Sequence, residues 1–283
     1  MKERIKVMTD ANKVQWLYSQ DWEYYDYGNC KRHLQIIFPY RNGMTKEEKY
    51  PLILFIPGSA WHKQEMYNDI PQYATLAKRG YVVAAMEYRE SDIAHFPAQI
   101  EDVCNALKFM PTIAENFHID LERIILMGNS SGGHIAMMSV LFAENGLCDM
   151  PMKISGIVLE SASTDILLCS QNPLPPWLKK RPSAVLLGID EIENNEELAK
   201  KASCDMYITE DIELPPVLLL HSEFDPVVSV ENSRTLYNKL MSTGHKVDYY
   251  ELEGNDAHGG LTYYSDEILD IIQKFCDGHF GII

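Results

Sequence analysis

The sequence predicts an α/β fold, in which a mostly parallel central sheet of about eight strands carries helices on both faces. Short, continuous apolar runs alternate with longer segments of helical spacing from residue 52 to the end of the chain. This order of elements demands a parallel sheet that is covered on both sides. The 283 residues, 46% of them hydrophobic, are enough for a sizeable core without disulfides or a structural metal.

The first half of the chain supplies the following elements. Residues 1–30 are aromatic and polar, so we expect an irregular segment that ends in an edge hairpin. Segment 33–38 is a strand candidate, and the runs 52–56 and 81–86 are typical of strands buried on both faces. Residues 68–79 suit a helix, because a glycine follows their last periodic position.

The alternation continues in the second half. A proline opens the helix expected over 97–114, and proline is favoured at the first helical position. The short run 123–127 predicts a buried strand, and the longer run 135–142 predicts a buried helix. Further strands are expected at 154–159, 216–221 and 246–252, and further helices at 230–241 and 262–276.

Residues 165–213 interrupt this rhythm. They contain four prolines between residues 173 and 182, followed by an acidic helix expected over 191–202. We therefore expect an insertion or cap here, within a single domain that spans residues 1–283.

The net charge of −16 excludes some classes of partner. A nucleic-acid-binding surface requires clustered basic residues, and an anionic membrane surface attracts them as well, so neither partner is expected. The six cysteines are scattered without paired spacing, which indicates free thiols. The N-terminus lacks the apolar segment of a signal peptide, and we expect a cytoplasmic monomer or homodimer that acts on a small molecule.

The motif G-x-S-x-G at 128–132 lies between the predicted strand and helix, with Ser130 at its centre. This is the pattern of a nucleophile elbow, where a tight turn lifts a serine hydroxyl above the sheet. The glycines provide room for the close backbone approach that such a turn requires. Ser130 is therefore the candidate nucleophile.

A serine nucleophile needs a base, and the base needs an acid that orients it. In chain order the acid precedes the histidine. Asp225 follows the strand at 216–221, and His258 lies in a glycine-flanked loop after the last strand, so we assign them as acid and base. The alternatives for the acid are Glu223, Glu160 and Asp165.

The oxyanion formed by attack on an ester needs preorganised donors. The backbone N–H of Ser131, the residue after the nucleophile, is one candidate. Residues 57–61, which we call the oxyanion loop, follow the strand at 52–56, and the N–H groups of Ser59 and Ala60 are the other candidates. The sequence contains neither H-E-x-x-H nor a Cys/His cluster, so we expect no metal and no cofactor.

Together these motifs resemble the α/β-hydrolase superfamily, and most closely its small carboxylesterases of the BD-FAE-like and hormone-sensitive-lipase-like group. The similarity covers roughly residues 30–280. Pro57 and Ser59 stand where the family motif H-G-G-x-W has histidine and glycine, and Ser131 stands where G-x-S-A-G-G-H has alanine. The motifs H-G-G-x-W, Y-R, F-P-A, G-x-S-A-G-G-H, H-G-x-x-D-x-x-V and G-x-x-H-G correspond to residues 57–61, 88–89, 96–98, 128–134, 221–228 and 254–259.

The resemblance implies an α/β-hydrolase fold with a short cap, and a serine esterase that forms an acyl-enzyme from short-chain esters. Acetyl- or feruloyl-type esters of carbohydrates are the expected substrates, and Trp61, Tyr88 and Trp177 are expected to line the pocket. Two alternatives stay open. One is an amide hydrolase such as an arylformamidase or aminopeptidase, and the other is a binding protein that has kept the fold without catalysis.

Overall fold

An eight-stranded sheet runs through the protein in the computed structural model, which describes residues 4–10, 12–171, 174 and 179–280. The strands are β1 (Gln15–Asp26), β2 (Lys31–Tyr40), β3 (Tyr50–Ile56), β4 (Val82–Met86), β5 (Ile119–Asn129), β6 (Gly156–Glu160), β7 (Val217–Ser222) and β8 (Val247–Leu252). The helices in this described part are α1 (Ile70–Lys78), α2 (Ala98–Ile113), α3 (Ser130–Glu144), α4 (Ile166–Gln171), α5 (Pro182–Leu187), α6 (Glu196–Lys201), α7 (Glu231–Ser242) and α8 (Asp266–Phe280).

The strand order is β1-β2-β4-β3-β5-β6-β7-β8. The pairs β1–β2 and β2–β4 are antiparallel, and the pairs from β4 to β8 are parallel. The parallel strands therefore bring their carboxyl ends to one edge of the sheet. This is the expected α/β-hydrolase arrangement, and in such sheets ligands bind beyond the carboxyl ends of the strands.

Helices cover both faces of the sheet, as the apolar runs predict. Apolar side chains of α2, α3 and α7 form one buried cluster with alternate strand residues, and those of α1 and α8 form a second cluster on the opposite face. Consequently every residue of β3 after its first is buried. Within the described ranges, no helix has both the length and the apolar character needed to cross a bilayer.

Two segments differ from the expectation. The irregular segment expected at the N-terminus includes a long edge strand, β1, which pairs with β2 in the predicted hairpin. The segment between β6 and β7 contains α4, α5, α6 and a short 3₁₀ helix at Cys204–Tyr207. The acidic helix in this segment is α6, which is shorter than predicted. Apolar side chains of α5, α6 and the 3₁₀ helix belong to the same cluster as α3, and a role of the segment as a cap stays a prediction.

A buried ion pair joins α2 to the chain that follows β4. The Asp102 side chain is fully buried and accepts hydrogen bonds from the backbone N–H of Arg89 at 2.7 Å and from its Nε at 2.8 Å. The Tyr27 hydroxyl also donates to this carboxylate, and the Arg89 guanidinium lies 3.8 Å from the centre of the Tyr27 ring. The same guanidinium reaches Glu101, whose side chain is 60% exposed.

We predict that Asp102→Asn destabilises the protein strongly, whereas Glu101→Gln does not. Breaking a buried ion pair by removing one partner costs about 3–5 kcal/mol, while an exposed pair contributes at most about 1 kcal/mol. Urea denaturation of the two variants measures the difference in free energy of unfolding. Equal losses in both variants would refute this ranking.

Candidate active site

The turn between β5 and α3 presents Ser130 at the carboxyl edge of the sheet. Ser130 has a φ of 52°, a left-handed conformation that is unfavourable for a residue with a side chain. A Cβ on Gly132 would lie 1.9 Å from the Ile56 carbonyl oxygen, and one on Gly128 would lie 2.6 Å from the Gly132 backbone. Both positions therefore require glycine, and the strained turn is the expected nucleophile elbow.

The structure brings the three predicted residues Ser130, His258 and Asp225 together. His258 Nδ1 lies 2.8 Å from Asp225 Oδ2, and His258 Nε2 lies 3.0 Å from Ser130 Oγ. A carboxylate only accepts hydrogen bonds, so Nδ1 carries the proton and Nε2 is left as the acceptor for the serine hydroxyl. This is the tautomer that a general base needs.

The Asp225 side chain is fully buried but well supplied with donors. Oδ1 accepts the N–H groups of Val227 at 2.8 Å and Val228 at 3.0 Å. Burial on its own would raise the pKa of this carboxyl, but hydrogen bonds from His221 and His258 hold it well below the ordinary value. Asp225 is therefore ionised across the neutral range and can stabilise a charged His258.

His221, four residues before Asp225, supports this carboxylate. Its Nε2 lies 3.0 Å from the Val228 carbonyl oxygen and 3.5 Å from Asp225 Oδ2. Its Nδ1 lies 2.7 Å from the Ser233 hydroxyl. The sequence motif contained His221, but the i, i+4 spacing to the acid was the signal that could have assigned it this role.

The loops that carry the acid and the histidine are tied to each other. The backbone N–H of Phe224 donates to the Asn255 carbonyl oxygen at 2.9 Å, and the N–H of Gly254 donates to Glu223 Oε2 at 2.7 Å. Asn255 Oδ1 accepts the N–H of Ala257 at 2.8 Å. These bonds hold the two loops together and so fix the separation between Asp225 and His258.

The alternatives considered for the acid have other partners. The hydrogen bonds that Glu223 and Asp165 accept come from backbone N–H groups, at Gly254 and Leu168. Glu160 ends β6 and is buried, and its Oε1 has no hydrogen-bond partner within the described residues. Burial, together with the nearby Asp69, raises the pKa of Glu160 to about 8, so its carboxyl is mostly neutral at pH 7.

The oxyanion loop lies beside the elbow. The Gly58 N–H donates to Asn129 Oδ1 at 2.6 Å, and the Ser59 N–H donates to Ser131 Oγ at 2.9 Å. The Ser59 N–H, expected to face the substrate, is thus occupied by a side chain. The Ala60 N–H has no hydrogen-bond partner among the residues the structure describes, and Ser131 lies in the first turn of α3, where N–H groups have no partner within the helix.

Two of the predicted pocket residues are not exposed to a pocket. Trp61 is 3% exposed and Tyr88 is fully buried, and this burial does not match the predicted contact with substrate. The third, Trp177, falls outside the described residues. No group of three or more His, Cys, Asp or Glu side chains in the described ranges could hold a metal ion.

His134, in the helix behind Ser130, is a packing residue, as its position in the sequence predicts. It is fully buried, with Nδ1 3.1 Å from Trp61 Nε1 and Nε2 2.7 Å from the Ala202 carbonyl oxygen. The indole N–H only donates, so Nδ1 accepts and Nε2 carries the proton. One neutral imidazole thus joins α3 to the oxyanion loop and to the segment between β6 and β7. In the sequence, His134 is the histidine of the motif G-G-H that follows Ser131.

Comparison with known proteins gives the family. A family model described as BD-FAE matches residues 37–240 of this chain. Esterase LipC of Mycobacterium tuberculosis is 24% identical over 244 residues, which cover 82% of this chain and 58% of that protein. Isoprenylcysteine alpha-carbonyl methylesterase ICME of Arabidopsis thaliana is 25% identical over 267 residues, which cover 87% and 60%. The chain therefore spans less than two thirds of the length of these curated relatives.

A solved structure gives the same fold. A truncated form of a carbohydrate esterase from gut microbiota superposes with a TM-score of 0.76 at 22% identity. The match covers 97% of this chain and 99% of that one. The likeness therefore extends over the whole α/β-hydrolase domain rather than one part of it.

We predict that His134 lowers the stability of the protein in acid. Burial lowers the pKa of His134 to about 4, against an ordinary value of 6.5, so between these values the unfolded chain binds a proton that the folded protein does not. The free energy of unfolding should therefore fall as the pH drops from about 6.5 towards 4, and this contribution levels off below that.

The measurement is urea denaturation of the natural protein and His134→Gln at pH 7 and pH 4.5. Groups that titrate in both proteins cancel in the comparison. Between the two pH values the natural protein should lose about 2–3 kcal/mol more than the variant. The same loss in both proteins would show that His134 does not titrate in this way.

Proposed function

The chain belongs to the BD-FAE family, and from that premise we propose that it is a serine carboxylic-ester hydrolase. In this proposal Ser130 attacks the substrate, His258 moves the proton and Asp225 orients His258. The two hydrogen bonds that connect Ser130 Oγ, His258 and Asp225 support it most directly. The left-handed turn at Ser130 adds support, because a strained turn persists only where its surroundings enforce it.

The first half of the reaction forms an acyl-enzyme. Ser130 Oγ bonds to the ester carbonyl carbon while its proton passes to His258 Nε2, and the carbonyl oxygen becomes an oxyanion. The buried carboxylate of Asp225 stabilises the resulting imidazolium. The tetrahedral intermediate then collapses, the bond to the alcohol oxygen breaks, and the alcohol leaves with the proton from Nε2. The acyl group stays on Ser130.

The second half repeats these steps with water. A water molecule gives a proton to His258 Nε2 and its oxygen bonds to the acyl carbon. Collapse of the second intermediate breaks the bond between the acyl carbon and Ser130 Oγ, returns the proton to Oγ and releases the carboxylic acid. The oxyanion in both halves accepts hydrogen bonds from the backbone N–H groups of Ser131 and Ala60. Neither of these two N–H groups has a hydrogen-bond partner among the described residues, whereas the Ser59 N–H donates to Ser131 Oγ.

The proposed substrates are short-chain esters, acetyl- or feruloyl-type, of carbohydrates. The structural similarity to a carbohydrate esterase supports this class. The net charge of −16 also favours a neutral alcohol over a phosphorylated one, because a strongly acidic protein repels anionic substrates. The carboxyl edge of the sheet, where Ser130 lies, is where such a substrate is expected to bind.

We predict that Ser130→Ala abolishes both labelling by a fluorophosphonate probe and turnover of p-nitrophenyl acetate. Loss of the nucleophile costs about 10⁴-fold or more in kcat. Labelling that persists in this variant would refute the assignment of Ser130. The natural protein is assayed in parallel on aminoacyl anilides and N-formylkynurenine, and faster turnover of these amides than of the ester would favour an amide hydrolase.

We also predict that Asp225→Asn lowers kcat by about 10⁴-fold, because an amide in place of the carboxylate favours the wrong histidine tautomer. Glu223→Gln is the matched control, since Glu223 was the alternative acid in the same loop and accepts a backbone N–H instead. The control should retain kcat within about a factor of three. A larger loss in Glu223→Gln than in Asp225→Asn would reverse the assignment.

A further inference from the structure

Four hydrogen bonds connect the oxyanion loop to the residue after the nucleophile. The Ser59 N–H donates to Ser131 Oγ at 2.9 Å. Ser131 Oγ lies 3.3 Å from the Tyr88 hydroxyl, which lies 2.8 Å from Ser59 Oγ. Ser59 Oγ lies 2.5 Å from the His62 carbonyl oxygen. The four bonds thus run from the Ser59 N–H through the hydroxyls of Ser131, Tyr88 and Ser59 to the His62 carbonyl oxygen. We call them the hydroxyl relay.

The direction of every proton in the hydroxyl relay follows from its two ends. A carbonyl only accepts, so Ser59 Oγ–H donates to His62 and accepts from Tyr88. The Tyr88 oxygen then accepts from Ser131 Oγ–H, and Ser131 Oγ accepts from the Ser59 N–H, which only donates. Each of the three hydroxyls therefore donates one bond within the relay and accepts one, and Ser59 Oγ also accepts a long bond from Gln64 Nε2 at 3.5 Å. Ser131 and Tyr88 are fully buried, so water does not compete for the bond between their hydroxyls.

The oxyanion loop needs such restraint because its turn is strained. The His62 N–H bonds to the Ser59 carbonyl oxygen at 3.1 Å, and the two residues between them, Ala60 and Trp61, have φ values of 53° and 59°. Turns with two left-handed central residues strongly favour glycine and asparagine, and a residue with a side chain costs about 1–3 kcal/mol at each such position. The strain persists only if the neighbours of the turn enforce it.

Bonds on both sides of the turn supply this restraint. On the C-terminal side of the turn, the Trp61 carbonyl oxygen accepts hydrogen bonds from the N–H and the hydroxyl of Ser91, each at 2.9 Å. On the N-terminal side of the turn, Ser59 is held through two hydrogen bonds. Its N–H donates to Ser131 Oγ, and its hydroxyl donates to the His62 carbonyl oxygen. Gln64 accepts the Tyr88 N–H at 2.9 Å and holds the tyrosine in place.

We propose that the Ser131 hydroxyl is a positioning group for the oxyanion loop, distinct from the backbone N–H of the same residue. By accepting the Ser59 N–H, it holds the strained turn in the conformation that leaves the Ala60 N–H free. Because the Ser59 N–H is bonded to this hydroxyl, it does not donate to the oxyanion. The oxyanion donors are then the backbone N–H groups of Ala60 and Ser131. This inference rests on the proposed esterase function.

A further observation supports this role. Ser59 and Ser131 are two of the positions at which this chain departs from the family motifs, and the structure joins them directly. An alanine at position 131 would keep the backbone N–H but leave the Ser59 N–H without its acceptor. The turn would then lose one of the restraints on its N-terminal side, and the cost would fall on the transition state, where the oxyanion develops.

The experiment compares Ser131→Ala with Ser139→Ala in steady-state hydrolysis of p-nitrophenyl acetate. Ser139 is buried in the same helix, and its hydroxyl donates to the Ile135 carbonyl oxygen inside that helix, so it controls for the loss of a buried hydroxyl. Ser131→Ala should lower kcat about 10-fold with KM within about twofold, since a transition-state interaction is lost. Affinity for an alkyl boronic acid, which mimics the tetrahedral intermediate, should fall by a similar factor. Ser139→Ala should change neither.

Tyr88→Phe provides the second arm, because it breaks the hydroxyl relay one bond further on and keeps the ring. It should lower kcat by less than Ser131→Ala does, and the double variant should lose less than the product of the two single losses, because both act through one network. If Ser131→Ala does not fold, the loss of kcat at constant KM in Tyr88→Phe carries the test. Independent, multiplicative losses in a folded double variant would contradict the relay.

Other outcomes separate this inference from the proposed function. A natural protein that neither reacts with a fluorophosphonate nor hydrolyses the ester overturns the function, and with it the positioning role. A natural protein that is active, with Ser131→Ala equally active or faster, overturns the positioning role alone. A faster variant would mean that the freed Ser59 N–H joins the oxyanion donors. A change confined to KM would likewise count against positioning in the transition state.

Discussion

The backbone contact between β3 and the first turn of α3 is the constraint on which the site depends. At Gly132 there is no space for even one methyl group next to the Ile56 carbonyl oxygen. This contact places the chain after β3 beside the chain after β5. The oxyanion loop and Ser130 therefore follow separate strands, yet the loop is hydrogen-bonded to Asn129 and Ser131, the two neighbours of Ser130 in the chain. Parallel neighbours in the sheet then deliver Asp225 and His258 to the same edge.

The electrostatics of this edge follow a simple division. His134 and Glu160 are buried without a counter-charge, and burial moves their pKa values to about 4 and about 8, so both groups are mainly neutral at pH 7. Asp225 is buried too, but hydrogen bonds from His221, His258 and two backbone N–H groups hold it in the charged form. Burial thus keeps two ionisable groups neutral, and the charge stays on the carboxylate that faces His258.

The sequence was sufficient for the features that repeat along the chain. Strands such as β3 and β7 are apolar throughout because both faces are covered, and the order serine, acid, histidine follows from the order of strand ends. The edge strand β1 was harder to predict, because bulges after Ser19 and Glu23 interrupt its alternation. The partners of Trp61, Tyr88 and Ser131 depend on side-chain directions that only the folded chain defines, so the burial of Trp61 and Tyr88 could not be predicted from the sequence.

The hydroxyl relay has one further consequence, which concerns proton order. A closed ring of hydroxyls can usually be read in two senses, and interconversion between them leaves residual disorder in the proton positions. Here an amide N–H at the start and a carbonyl oxygen at the end allow a single sense. Each of the three hydroxyl protons, on Ser131, Tyr88 and Ser59, therefore has a single position in the relay. None of these hydroxyls has to reorient when charge appears on the substrate.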